Sequence, residues 1–437
     1  MTLFRTSLLS ALAVLTRLSV SIYLNKILAV FVGPAGFALI GQFQSLISLV
    51  TALGGGAVQT GVTKYTAEYT GDAAKQQRIW STALALSLLG SVAIGLVLTL
   101  FCVPLSRAIF GNAAYFDVII CLALALSFVG INGLFLAILN GYKAVRHLVL
   151  ANITGSLLGA AISTALVLKF GLWGALIALA VGPACACGAT WLVFRNVVRI
   201  AWPGWKLALE STQTKRLGSF ALMAATTAIV VPVGQVLTRN SIASDFGWAT
   251  AGLWQALWKI SETHLLLLTS VLSVYFLPRL SEIKSGTELR REVMSAYRFV
   301  VPLVLASALG LFLFRTTLIR SLLSPQFAPI APVLGLQLIG DVFKICSWVM
   351  SYTMVSHART TAFIVTEVLF TALTALGIIV FTHFFGLKGA ALAYVLVYLA
   401  YWATVYGLFE NLVRELDKGP VDDSRADQDP HLEVFSQ

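Results

Sequence analysis

Residues 25–64 read NKILAVFVGPAGFALIGQFQSLISLVTALGGGAVQTGVTK. From Lys26 an apolar run leads to a tight turn at Gly33-Pro34-Ala35-Gly36, and the chain then returns through apolar residues to Lys64. The returning run exceeds the roughly 20 residues that cross a bilayer, so this stretch predicts a pair of transmembrane helices. Gly54-Gly55-Gly56 interrupts the second helix. Adjacent glycines weaken a plain helix, and in membrane helices such breaks occur where backbone lines a cavity or packs on a neighbour through small residues. Both readings are open from sequence. Lys64 likewise either faces an interior path or snorkels to the headgroups from a last helical turn.

Working outward, the same character covers most of the chain. The protein has 437 residues, 58% of them hydrophobic and only 11% charged, with a mean hydropathy of +0.87. That is too apolar for a soluble fold and predicts an all-α polytopic membrane protein. Apolar runs at about 7–32, 36–66, 79–104, 115–140, 147–169, 172–195, 217–239, 247–277, 294–316, 330–355, 360–383 and 387–409 predict twelve transmembrane helices. The first is read as a span rather than a signal peptide. With the N-terminus inside, 19 of the 30 lysines and arginines fall on the cytoplasmic side and five, Arg107, Lys169, Arg315, Arg320 and Lys388, on the other. The positive-inside rule therefore places both termini in the cytoplasm. The net charge of +11 reflects topology and lumen, and no nucleic-acid partner is implied.

Six basic residues remain within the spans: Arg17, Lys26, Lys64, Arg239, Lys259 and Lys344. Against them stand Glu262, Asp341 and Glu367. An ionisable group at the bilayer centre costs about 3 kcal/mol even on lenient scales, so such groups face an interior path or each other. Lys259 with Glu262, and Asp341 with Lys344, are spaced to pair on one helix face. The surplus is Arg17, Lys26, Lys64 and Arg239 against Glu367, and a cavity holding that surplus binds an anion. Arg17 and Lys26 lie half a turn out of phase on a straight helix, so either the helix bends or Lys26 snorkels. Gln42 and Lys64 are nearly in phase and predict one shared wall.

The chain also repeats itself. Lys26 and Gln42 are matched by Arg239 and Gln255 at the same spacing, and Phe170-Gly-Leu-Trp-Gly-Ala-Leu-Ile-Ala recurs from Phe385 as Phe-Gly-Leu-Lys-Gly-Ala-Ala-Leu-Ala. An even number of helices separates the copies, which predicts two six-helix lobes related by a pseudo-twofold axis along the membrane normal. The expected divisions are a lobe at 1–198, a basic cytoplasmic linker at 199–216, a lobe at 217–412 and an acidic, disordered cytoplasmic tail at 413–437. Transport through the cleft between lobes by rocking follows from that plan.

Gly33-Pro34-Ala35-Gly36, Gly61-Val-Thr-Lys-Tyr65, Ile109-Phe-Gly-Asn112, Trp254-Gln255, Tyr275-Phe-Leu-Pro278, Gly340-Asp-Val-Phe-Lys344 and Thr366-Glu-Val368, in this order, resemble the Wzx family of lipid-linked oligosaccharide flippases. The resemblance is strongest to the branch that flips lipid III in enterobacterial common antigen synthesis, and it covers residues 1–412. It implies the multidrug/oligosaccharidyl-lipid/polysaccharide exporter fold. It also implies export of an undecaprenyl-pyrophosphate-linked repeat unit across the bacterial inner membrane, in contact with membrane lipids and beside a downstream polymerase and chain-length proteins. The family's cationic lumen carries over onto Arg17, Lys26, Lys64 and Arg239, and Asp341, Lys344 and Glu367 fall on its polar positions. Lys259 has no counterpart in that pattern.

The expected chemistry is recognition of phosphates by Arg17, Lys26, Lys64 and Arg239 and of sugar hydroxyls by the amides of Gln42 and Gln255. No GxxxxGK[ST] segment is present, so no nucleotide cofactor is expected, and the membrane potential or an ion gradient drives transport. Glu367, which has no opposite charge at helical spacing, is the first choice for ion coupling. Asp341 with Lys344 and Glu262 with Lys259 are read either as coupling groups or as structural pairs. The five histidines and five cysteines form no metal-ligand pattern or disulfide framework. Two other classes stay in view: a multidrug or cation antiporter, which calls for an acidic lumen, and a membrane glycosyl polymerase, which calls for a large carboxylate-bearing outer loop.

Overall fold

The computed structural model describes residues 3–197, 211–272, 276–357 and 359–417. Most of the expected 199–216 linker, Tyr275 of its motif and residues 418–437 of the expected tail lie outside the described residues. Among those described, the elements are helical: α1 (Leu3–Phe31), α2 (Gly33–Leu53), α3 (Gln59–Glu68), α4 (Ala73–Leu100), α5 (Cys102–Phe110), α6 (Phe116–Gly141), α7 (Val145–Phe194), α8 (Ser211–Val271), α9 (Leu277–Glu282), α10 (Gly286–Leu313), α11 (Arg315–Leu322), α12 (Leu334–Ser356) and α13 (Thr360–Asp417). Among the described residues, eight helices are long and apolar enough to cross a membrane. Large apolar side chains such as Leu100, Leu124 and Phe384 stand outward, as they do when the surrounding solvent is hydrocarbon.

Three helices are too long for one crossing. At 50, 61 and 58 residues, α7, α8 and α13 would each run at least about 75 Å, against a hydrocarbon layer of about 30 Å. Each breaks at one glycine in a backbone region closed to other residues: Gly171 (φ 56°, ψ −130°), Gly247 (φ 82°, ψ 160°) and Gly386 (φ 59°, ψ −148°). After the corner the chain doubles back tightly. A Cβ on Gly174 would sit 2.0 Å from the carbonyl oxygen of Leu166, and one on Gly389 would sit 2.0 Å from that of Phe381. These two corners are the repeated Phe-Gly-Leu-x-Gly-Ala segments, so the internal duplication is present in backbone geometry as well as in sequence. Gly33 (φ 67°) likewise turns α1 into α2, as Gly247 makes the corner within α8.

The Gly54–Gly56 break serves packing. Gly55 takes φ 108°, a Cβ there would meet the Cα of Ser87 on α4 at 2.6 Å, and Ser91 Oγ donates to the Gly54 carbonyl at 3.1 Å. Small residues let backbones approach, and this is the close-packing alternative rather than a cavity lining. At the start of α4, Asp72 accepts from the Lys75 backbone N–H at 3.0 Å, which with the Lys75 ammonium holds its carboxyl below the usual range.

The residues before 197 and after 211 meet chiefly along α2 and α8. Gly41 and Gly252 permit this: a Cβ on Gly252 would overlap the Pro34 carbonyl oxygen at 1.7 Å, and one on Gly41 would meet Gln255 at 2.5 Å. Phe37 packs edge-on against Phe327, ring centroids 5.6 Å apart, at the same end of the bundle.

Candidate substrate-binding site

The buried Arg239 of α8 sits between α2 and α8 and is 1% exposed. Its Nε donates to Gln255 Oε1 at 2.7 Å, Nη1 to Gln42 Oε1 at 2.7 Å, and Nη2 to Ser45 Oγ at 3.0 Å and Gln235 Oε1 at 2.9 Å. Gln42 Nε2 in turn donates to Asn240 Oδ1 at 2.6 Å. A guanidinium offers five donors in a rigid fork, and here uncharged oxygens surround it. Arg239, Gln42 and Gln255, expected to meet phosphate and sugar, are here bonded to one another and close the seam. The pattern hid this because an intramembrane arginine and two glutamines, one 16 residues on and one 197 residues back, read equally well as lumen groups.

Lys26 also joins the two parts of the chain. Its Nζ donates to the Arg320 carbonyl oxygen at 3.0 Å, in the last turn of α11, where carbonyls lack helical partners. Its ammonium is thus held at a helix end of the other part of the chain. Lys64 is exposed on α3, with its ammonium 5.3 Å from the centroid of the Tyr65 ring, while Gln42 is fully buried in the seam, so they form no common wall.

Arg17, also predicted, faces open space inside the protein. It borders a cavity of about 410 Å³ among α1, α2, α6 and α7, lined also by Gln44, Asn132, Asn152 and Ser156. Asn132 Oδ1 is buried there without a hydrogen-bond partner. A second cavity of about 320 Å³ shares Arg17 and Lys259 with the first and reaches Glu262, Lys344 and Trp348. A third, about 300 Å³, shares those last three and extends to Glu367, Trp258 and Tyr398. The three spaces thus form a chain of cavities from one part of the protein to the other, and the third reaches Gln235 and Trp254 beside Arg239. Lys259, which the family pattern left without a role, stands where they meet; it pairs with Glu262 at 3.1 Å as its spacing predicts.

The expected Asp341–Lys344 pair is replaced. Asp341, fully buried, accepts from Tyr394 OH at 3.0 Å and lies 3.3 Å from His264 Nδ1, whose Nε2 is 2.8 Å from Ser307 Oγ. Sequence reasoning set His264 aside because it sought metal spacing, and a partner 77 residues away leaves no periodic trace. Lys344 instead points its ammonium at rings: Trp258, Trp348, Tyr394 and Tyr398 all have centroids 4.9–5.5 Å away. Burial among aromatic faces is a favourable setting for a desolvated cation.

Residues 27–332 match the family described as "Polysaccharide biosynthesis protein". Over 418 residues the chain is 32% identical to the lipid III flippase of Escherichia coli strain K12, with 94% of this chain and 98% of that one covered. The chain belongs to the Wzx family of flippases. Among solved structures, an inward-facing multidrug-resistance MATE transporter of the MOP superfamily superposes with a TM-score of 0.76 at 15% identity, over 93% of this chain and 99% of that one. The lipid II flippase MurJ, in an inward closed conformation, gives 0.71 at 14% identity over 93% and 89%. These likenesses show the fold, and the Wzx family assignment rests on the lipid III flippase and the family match.

Proposed function

We propose that this Wzx-family chain is a transporter, not an enzyme, and that it flips an undecaprenyl-pyrophosphate-linked oligosaccharide of the lipid III type from the cytoplasmic to the periplasmic leaflet of the bacterial inner membrane. Twelve spans form two six-helix lobes, 1–198 and 217–412, which rock about the cleft between them. Both termini are cytoplasmic, so the α1–α2 turn, the Arg239 seam and the Lys26–Arg320 contact lie toward the periplasm and the chained cavities toward the cytoplasm.

The observation that carries this reading is Arg17, with the Lys259–Glu262 pair beside it, at the junction of cavities bordered by amides and hydroxyls. Cations beside neutral polar groups suit a phosphate joined to sugars. An exporter of organic cations needs the opposite charge at that junction. Outward movement of each phosphate charge gains about 2.3 kcal/mol per 100 mV of membrane potential, and Glu367, Asp341 and Glu262 are the carboxylates available for an ion gradient. In a strain lacking its own lipid III flippase, the wild-type chain restores surface glycan and Arg17→Ala leaves the lipid-linked repeat in the cytoplasmic leaflet, with Arg17→Lys intermediate. Full restoration by Arg17→Ala would overturn the anion site.

A further inference from the structure

The third cavity differs in kind from the first two. Lys344 and Glu367 both face it, yet no ion pair joins them within 4 Å. The other acids nearby are engaged: Asp341 with Tyr394 and His264, and Glu262 with Lys259 and the Trp258 indole N–H at 2.9 Å. On α8, Trp258 and Glu262 are one turn apart; on α12, so are Lys344 and Trp348, and such neighbours share a helix face. Tyr398 of α13 completes the wall, and these three aromatic side chains are half-buried, leaving ring surface toward the space.

A bare anion is drawn to Lys344 but repelled by Glu367, and an organic cation meets the reverse. A polyhydroxylated ring satisfies both, since each hydroxyl accepts from an ammonium and donates to a carboxylate. Its C–H face also suits the negative face of an aromatic ring. The volume, about 300 Å³, is at the small end of ligand sites.

We propose that this cavity is the sugar subsite: an uncharged sugar ring packs against Trp258, Trp348 and Tyr398 while its hydroxyls bridge Lys344 and Glu367, and the diphosphate stays at Arg17. The headgroup thus points into the C-terminal part of the protein. This rests on the flippase reading and adds to it which part of the ligand goes where.

The test uses the full chain in lipid nanodiscs, with native mass spectrometry of two probes: undecaprenyl diphosphate, and the same lipid bearing N-acetylglucosamine. Wild type binds both and prefers the sugar-bearing lipid. Glu367→Gln and Trp348→Ala each weaken the sugar-bearing lipid about tenfold, the scale of one charge-assisted hydrogen bond, and leave the bare diphosphate unchanged. Trp348→Phe, which keeps a ring face, loses less. Arg17→Ala weakens both lipids. If Glu367→Gln tightens the bare diphosphate, or if both variants affect the two lipids equally or not at all while Arg17 dependence persists, the subsite is wrong and the flippase reading stands. Binding of neither lipid by wild type would overturn both.

Discussion

Arg239 shows how a single side chain can be legible as important and illegible as to role. Its place in an apolar span marked it from sequence, as did its spacing to Gln255, and the structure joins those two residues. What spacing could not show is that Gln42, 197 positions away, and Ser45 approach from another helix and use the remaining donors. The planar fork makes the site intolerant of a point charge: lysine has neither the reach pattern nor the fixed donor geometry. Arg239→Lys therefore leaves buried amide oxygens unpaired, each costing about 1–3 kcal/mol. The expected outcome is a lower unfolding temperature in detergent and faster labelling of a Ser45→Cys reporter by a membrane-impermeant maleimide. Unchanged labelling would show that the seam holds without the guanidinium. Lys26 follows the same logic, since its partner is a backbone carbonyl, which no side-chain pattern can reveal.

At the level of helices, hydropathy served well where it marks apolar runs and less well where geometry depends on a single dihedral. Apolar segments anticipated the long helices, and their breaks after 169 and 383 fell at the corners of Gly171 and Gly386, though not the dihedrals that make them. Close approach of α2 to α8 was hidden altogether, because Gly252 has no side chain to betray what it touches. Gly252→Ala puts a methyl group against the Pro34 carbonyl oxygen and wedges the two helices apart. Overpacking of this kind costs about 1–3 kcal/mol. The variant is expected to unfold at lower temperature and to lose part of its flipping activity in the complementation assay, while Gly407→Ala, with open space around it, behaves as wild type. Equal behaviour of the two would mean that α2 and α8 are not held at this distance in the membrane.

For the whole molecule, the proposed function makes the contacts at the α1–α2 end and the linked cavities one state of an alternating cycle. Ser45 Oγ and Gln235 Oε1 are 3.2 Å apart across the seam, so cysteines placed at both positions are expected to cross-link and to arrest transport until reduced. Transport by the oxidised double variant would argue against separation of the seam during the cycle. That a net surplus of positive charge lies within the spans could be read from the sequence, but its division into a closing group, a helix-end contact and a cavity group needed three dimensions. The seam's chemistry also bears on the medium it opens into. Ion pairs loosen as salt rises, but a guanidinium gripped by neutral amides has no counter-charge to be screened. Such a latch is equally firm in dilute and in briny surroundings.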